Sequence, residues 1–216
     1  LKLVVALDFS DEKSLFHCLE GFRPEWAVLK VGLEAYTALG PEVVRKLVQQ
    51  NYQVFLDLKF HDIPNTVARA CQAAADLGVF MLNVHASGGL PMLEAARTAL
   101  SAHDSPYLIA VTVLTSQAAS TSQVQQYAKD AFESGLDGVV CSALEAPTIK
   151  SAFGQDFLAV TPGIRLPGDD HQDQVRVVTP ENAKAKGSDY AVIGRSITQS
   201  KYPAVTLKMI YDSIQA

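Results

Sequence analysis

The chain has 216 residues, 48% hydrophobic and 19% charged, with a formal net charge of −5. That size and apolar content suit one large globular domain, residues 1–216, with a substantial core, rather than two small ones. The acidic balance speaks against nucleic-acid and anionic-membrane binding, so an anionic substrate would need basic groups gathered locally. No run of apolar residues reaches transmembrane length, and no basic-then-apolar leader opens the chain. Cys18, Cys71 and Cys141 are widely spaced among apolar neighbours with no metal-ligand pattern. They are expected to be reduced core thiols of a cytoplasmic protein. The first residue is Leu1, so a longer natural N-terminus is expected.

In chain order, the apolar run Leu3–Leu7 predicts a strand ending at Asp8, followed by a helix over Asp11–Glu20. Trp26–Val31 predicts a second strand with Lys30 near its end, then a helix over Leu33–Gln50. Gln53–Leu58 is the third strand, its end marked by Asp57 and Lys59, before a helix over Asn65–Leu77. Phe80–His85, Tyr107–Val113, Gly138–Cys141, Phe157–Thr161 and Tyr190–Ile193 complete eight strands. Helical patterns at Gly89–Ala102, Ser122–Ser134, Ala143–Phe153, Pro180–Lys186 and Pro203–Ile214 follow them. Most strands lack polar alternation, as strands buried on both faces do. Gly78, Gly135 and Gly187 stand where helices should end. Eight alternating units predict an α/β fold, a single (β/α)8 TIM barrel; a doubly wound open sheet is the alternative.

In a barrel of this kind the chemistry sits at the C-terminal ends of the strands. Asp8, Lys30, Asp57, Lys59, His85, Thr112, Thr115, Thr161 to Arg165 and Gly194-Arg195 all fall there. The run Asp57-Leu58-Lys59-Phe60-His61-Asp62-Ile63-Pro64-Asn65-Thr66 is the most informative. Residues two apart on a strand share a face, so Asp57 and Lys59 point together. Charges at the mouth of a buried strand are costly unless paired or used. Lys30, Asp57, Lys59 and Asp62 therefore form a candidate quartet in which alternating signs keep each group ionised and let a lysine act as an acid. The structural alternative is an ion-pair network that closes the barrel top.

After the eighth strand, Gly194-Arg195 leads into a helix opened by Ser196, an arrangement suited to phosphate. A turn with a solvated Arg is the alternative. The polar stretch from Pro162-Gly163-Ile164-Arg165 to Gln174 is expected to act as a lid, with Arg165 and Gln174 facing an anion, rather than as a plain surface excursion. His61 and His85 have packing roles open to them as much as chemical ones, and His17, His103 and His171 are expected to face solvent. Asp169, Asp170, Asp173 and Glu181 show no ligand spacing, so no metal site is expected.

Together these motifs resemble the orotidine 5′-monophosphate decarboxylase family, in its bacterial type. The likeness rests on Ala6-Leu7-Asp8, Leu29-Lys30-Val31-Gly32, the block from Asp57 to Thr66, Val111-Thr112-Val113-Leu114-Thr115-Ser116, Thr161-Pro162-Gly163-Ile164-Arg165 and Val192-Ile193-Gly194-Arg195-Ser196. The resemblance implies a carbon–carbon lyase without cofactor, converting orotidine 5′-monophosphate to uridine 5′-monophosphate in pyrimidine biosynthesis. It implies that Asp8 binds ribose hydroxyls, Lys30 links ribose to the network, Asp57 lies against the substrate carboxylate and Lys59 protonates C6. It further implies a homodimer in which Asp62, Ile63 and Thr66 reach the neighbouring subunit's site. Thr115 would contact the pyrimidine, Gln174 would bridge base and phosphate, and Arg165, Gly194 and Arg195 would hold the phosphate. Metal-dependent sugar-phosphate decarboxylases or aldolases of the same superfamily, and a catalytically inactive nucleotide-binding barrel, are the alternatives.

Overall fold

The computed structural model describes residues 1–102, 106–114, 120–166 and 178–215. Its elements are β1 (Lys2–Ala6), α1 (Glu12–Cys18), β2 (Val28–Gly32), α2 (Leu33–Leu39), α3 (Pro41–Gln49), β3 (Val54–Phe60), α4 (Pro64–Ala75), β4 (Met81–His85) and α5 (Leu90–Ala99). They continue with β5 (Tyr107–Val111), α6 (Thr121–Glu133), β6 (Gly138–Val140), α7 (Ala146–Phe153), β7 (Leu158–Thr161), α8 (Pro180–Ala185), β8 (Tyr190–Ile193), α9 (Arg195–Thr198) and α10 (Pro203–Gln215). All strands are parallel, each pairs with the next, and β8 closes on β1 through Lys2↔Tyr190 to Val5↔Ile193. The (β/α)8 barrel expected from the alternating pattern is the observed fold, and the open sheet is excluded by that closure.

Helix starts follow local chemistry. Asp11, Ser120 and Thr179 each accept a hydrogen bond from the amide three residues on, satisfying an orphan donor. Proline occupies the first turn of α3, α4, α5, α7 and α8, where its missing N–H is harmless. The pattern over Leu33–Gln50 predicts one helix, and the structure has two. Gly40 lies at φ 68 and ends α2, and Pro41 opens α3. That left-handed turn is open to glycine and followed by a proline that cannot continue the helix.

Two apolar assemblies hold the barrel. The larger packs the outward strand residues, such as Leu3, Leu29, Leu56 and Leu82, against the helices. The smaller fills the barrel interior with Val4, Val28, Phe55, Met81, Ile109, Val160 and Tyr190. Two residues further along their strands come Ala6, Lys30, Asp57 and Asn83. The period of two thus carries the interior from an apolar plug to a polar mouth within one pleat. Cys18, Cys71 and Cys141 are free and buried, and burial pushes their thiols up, to about 11 at Cys18 and about 12 at Cys71.

The opposite rim also carries charge, and there it is structural. Asp189 precedes β8; its Oδ2 accepts from the Ala159 amide at 2.7 Å and from Lys150 Nζ at 2.6 Å. Asp137 precedes β6 and does the same with the Leu108 amide at 2.7 Å and Arg97 at 3.1 Å. Each carboxylate joins the start of a neighbouring strand to a helix of the outer layer. The Lys150 side chain is only 5% exposed. Asp189→Ala leaves that ammonium without its carboxylate and the Ala159 amide without its acceptor. The expected loss is about 3 kcal/mol of stability, read by urea unfolding; a change below about 1 kcal/mol would show the pair to be incidental.

Candidate active site

The polar mouth opens into a cavity of about 270 Å³. Among the described residues its floor is Ala6, Phe55, Val111, Val140, Val160 and Val192. Asp8, Lys30, Asp57 and Lys59 form one wall, and Pro162, Gly163, Arg165, Gly194 and Arg195 line the far side. β3 and β7 face each other across the closed sheet, so the cavity runs from a mixed-charge wall to a basic one.

Asp57 is the centre of the charged wall. It is 8% exposed, and its two oxygens are divided between two ammoniums. Lys59 Nζ donates to Oδ1 at 2.6 Å, and Lys30 Nζ lies 3.3 Å from Oδ2. Lys30 also reaches Asp8 Oδ1 at 3.4 Å. Asn83 donates its amide to Asp57 Oδ1 at 2.7 Å. Burial pushes the Asp57 carboxyl up, but the charges of Lys30 and Lys59 and the hydrogen bonds from Lys59 and Asn83 outweigh it and hold it below the usual range. The carboxylate is thus ionised at neutral pH, with both lysines drawn to it.

Local backbone geometry makes this arrangement. Lys59 has φ 53, in the left-handed region that non-glycine residues avoid at a cost of about 1–2 kcal/mol. The β3–β4 register shifts between Leu56 and Phe60, so the strand bulges there. Asn83 Oδ1 accepts the Lys59 amide at 2.8 Å, which fastens the bulge to β4. Gly32 provides the room for Lys30: a Cβ built there would stand 2.9 Å from Lys30 Nζ and 3.5 Å from Asp8 Oδ1.

The structure brings together three of the four charges of the expected quartet and replaces the fourth. Asp62 does not join the network within this chain. It is exposed, and its Oδ1 accepts the amide of Ile63 at 2.7 Å. The bulge at Lys59 turns the chain outward, so alternation along the strand stops before Asp62; Asp8 takes the fourth place. Ile63 and Thr66 are exposed at the start of α4, with Ile63 67% exposed. His85 ends β4, and its ring stacks near His61 at 5.5 Å. Burial, His61 and Lys59 together push His85 below the ordinary imidazole value, against the pull of Asp57.

On the basic side, Arg165 is 8% exposed and its guanidinium donates to the Ile164 carbonyl at 3.4 Å. Gly194 caps the short helix α9, which begins at Arg195, one residue before the expected Ser196. Thr112 turns its hydroxyl to the Val140 carbonyl, and Thr161 bonds Ser188 and the Tyr190 carbonyl, so both serve the sheet. Thr115, Gln174, His103, His171, Asp169, Asp170 and Asp173 lie outside the described residues, as does most of the expected lid. Among the described residues, no three His, Cys, Asp or Glu side chains gather as a metal site. No described helix is long and apolar enough to cross a membrane.

The family model for orotidine 5′-phosphate decarboxylase / HUMPS matches residues 1–210. The chain belongs to this family. It is 53% identical over 215 residues to orotidine 5′-phosphate decarboxylase of Legionella pneumophila strain Corby, covering 94% of each chain. It is 53% identical over 226 residues to the enzyme of that name from Escherichia fergusonii, covering 99% of this chain and 92% of the relative. The crystal structure of orotidine 5′-phosphate decarboxylase from Lactobacillus acidophilus superposes with a TM-score of 0.87 at 39% identity, covering 100% of this chain and 99% of that one. The corresponding structure from Thermotoga maritima gives 0.78 at 27% identity, covering 97% and 98%. Family membership makes the chain an enzyme of the lyase type.

Asn83 and Gly32 were the site residues that strand reading underweights. Asn83 announces itself only as a polar residue inside an apolar strand, two places after the inward Met81. For Gly32 the signal is its inward position two residues after Lys30. Gly32→Ala keeps an allowed backbone, since φ there is −95. The new methyl displaces the Lys30 ammonium. Turnover of orotidine 5′-monophosphate is expected to fall about 10- to 100-fold with little change in melting temperature. Unchanged kcat would mean that the position of Lys30 is not critical.

Proposed function

We propose that this chain is a single barrel domain spanning residues 1–216 that decarboxylates orotidine 5′-monophosphate to uridine 5′-monophosphate and carbon dioxide in cytoplasmic pyrimidine biosynthesis, using no cofactor. The observation that carries the reading is the Lys30–Asp57–Lys59 network, facing a wall with Arg165 and Arg195 across one cavity. The family and the names of the relatives support the same substrate.

The substrate carries a carboxylate at C6 and a phosphate at the far end of the ribose. The phosphate is assigned to Arg165, Gly194 and Arg195, with Gln174 bridging to the base and Thr115 against the pyrimidine. Asp8 takes the ribose hydroxyls, and Lys30 ties them to Asp57. The C6 carboxylate then lies beside Asp57. When the C6–carboxyl bond breaks, its electron pair stays on C6 and carbon dioxide leaves. Lys59 Nζ donates a proton to that carbon and is reprotonated from solvent. An ammonium fixed by Asp57 interacts more strongly as charge grows on C6 than in the ground state, which is the condition for lowering the barrier. Binding of the distant phosphate supplies orientation that the reacting carbon alone does not.

Asp62, Ile63 and Thr66 are assigned to the site of a second subunit. Their support is the exposure of this whole turn beside the cavity, with a large apolar side chain held in the open. The active form is then a homodimer with two shared sites.

Loss of orotidine 5′-monophosphate absorbance, with uridine 5′-monophosphate formed, is expected in excess EDTA. Activity that disappears with the chelator would instead favour a metal-dependent sugar-phosphate enzyme. Lys59→Ala should reduce kcat by about 10⁴-fold while uridine 5′-monophosphate still binds; full activity in that variant removes Lys59 from the chemistry.

The shared site has its own signature. Lys59→Ala and Asp62→Ala homodimers should both be impaired. Mixing and re-equilibrating them should restore activity, because a heterodimer has one site with both residues intact. No recovery, with subunit exchange verified, would place Asp62 outside the partner's site.

A further inference from the structure

Asn83 lies inside the barrel on β4, 1% exposed, and is not among the residues lining the cavity. Both ends of its side chain are engaged. Nδ2 donates to Asp57 Oδ1 at 2.7 Å, and Oδ1 accepts the backbone N–H of Lys59 at 2.8 Å. The partners force this amide orientation, since a backbone N–H only donates and an ionised carboxylate only accepts. One side chain therefore reaches the carboxylate that anchors the Lys59 ammonium and the peptide whose φ of 53 aims the same side chain. An apolar residue here would continue the Met81 layer, but it would leave the Lys59 amide without this acceptor and Asp57 without its third donor.

We propose that Asn83 is a positioning residue for the decarboxylation: it locks the left-handed turn at Lys59 and the orientation of Asp57, so that the Lys59 ammonium is held at the reacting carbon. This rests on the reading of Lys59 and Asp57 as the catalytic pair. Asn83 itself touches no substrate.

The test uses Asn83→Ala and the isosteric Asn83→Asp, with wild type and Lys59→Ala alongside. Asn83→Ala removes both bonds. Its kcat is expected to fall about 10- to 100-fold, with KM within about threefold, because the substrate-lining groups remain. In Asn83→Asp one oxygen can accept the Lys59 amide, and the other can donate to Asp57 only while protonated. Two carboxyls at this distance share a proton. The charged groups facing the position are Asp57 and Lys59 from β3, Lys30 across from β2 and Asp8 beyond it, with His85 on β4 itself and His61 beside that ring. On the β5 side the register partner is the uncharged Ile109. Between about pH 7 and pH 9, above the histidine range, the activity of Asn83→Asp relative to wild type should fall as pH rises. A role in packing alone predicts a ratio that does not change with pH.

Wild-type turnover with an inactive Lys59→Ala establishes the underlying reading; failure there overturns that reading and not the role of Asn83 alone. With those controls in place, wild-type kcat in Asn83→Ala or a flat pH ratio in Asn83→Asp overturns the positioning role. Should Asn83→Ala fail to fold, the pH ratio of Asn83→Asp decides.

Discussion

The structure of the barrel mouth follows from one constraint: the Asp57 carboxylate is buried. Taking a carboxylate out of water costs several kcal/mol unless other groups replace the lost solvation. Here the replacements are two ammoniums and an amide, from β2, β3 and β4. Three adjacent strands are thereby tied together by side chains at their C-terminal ends, where the β3–β4 register shifts. Lys30 needs the space left by Gly32, and Lys59 needs the left-handed turn. Removing Asp57 takes from Lys59 the carboxylate it pairs with, whereas removing either lysine leaves Asp57 with the other.

The two rims of the barrel use the same kinds of residue for different ends. At the N-terminal rim, Asp137 and Asp189 each take one backbone amide and one cation. These carboxylates satisfy strand starts that the sheet leaves open, and their cations are drawn from the surrounding helices. At the C-terminal rim, Asp57 has no backbone amide as partner among the described residues and takes two lysines and the Asn83 side-chain amide instead. The second arrangement is less economical for folding. With Lys30 and Lys59 balanced by Asp8 and Asp57, the net positive charge lining the cavity comes from Arg165 and Arg195, which suits an anionic ligand.

Much of this could be read from the chain. Apolar runs without polar alternation identify strands covered on both faces, and eight such runs with intervening helices leave few folds to consider. The inward parity of Lys30, Asp57 and Lys59 follows from the period of two. Parity fails where the backbone stops being regular. The bulge at Lys59 cannot be inferred from composition, and it is nearness in sequence, not parity, that makes Asp62 look like a fourth member of the cluster, when within this chain its side chain caps its own turn. Similarly, the helical period continues through Gly40, and only the glycine–proline pair signals that the axis changes. Asn83 is the converse case: an unremarkable polar residue whose importance depends on register across β3 and β4, which is tertiary information. The far wall is partly legible, with Gly163, Arg165, Gly194 and Arg195 on the cavity, although Thr115 and Gln174 lie beyond the described residues.

The bulge also links the interior of the barrel to its surface. Before it, the chain runs as a strand with Asp57 and Lys59 inward. After it, His61 to Thr66 are all exposed, and Pro64 starts α4 at a fixed φ. A regular strand continuing from Lys59 would alternate inward and outward and would place Asp62 on the outer face of the sheet, among the helices. The strand instead ends one residue past the left-handed Lys59, at Phe60, and His61 to Thr66 run over the rim exposed. Under the proposed dimer, the residue that delivers the proton is also the one whose backbone sends Asp62, Ile63 and Thr66 towards a second subunit. The backbone strain at Lys59 then serves two purposes at once, and the hydrogen bond from its amide to Asn83 is the contact that stabilises both.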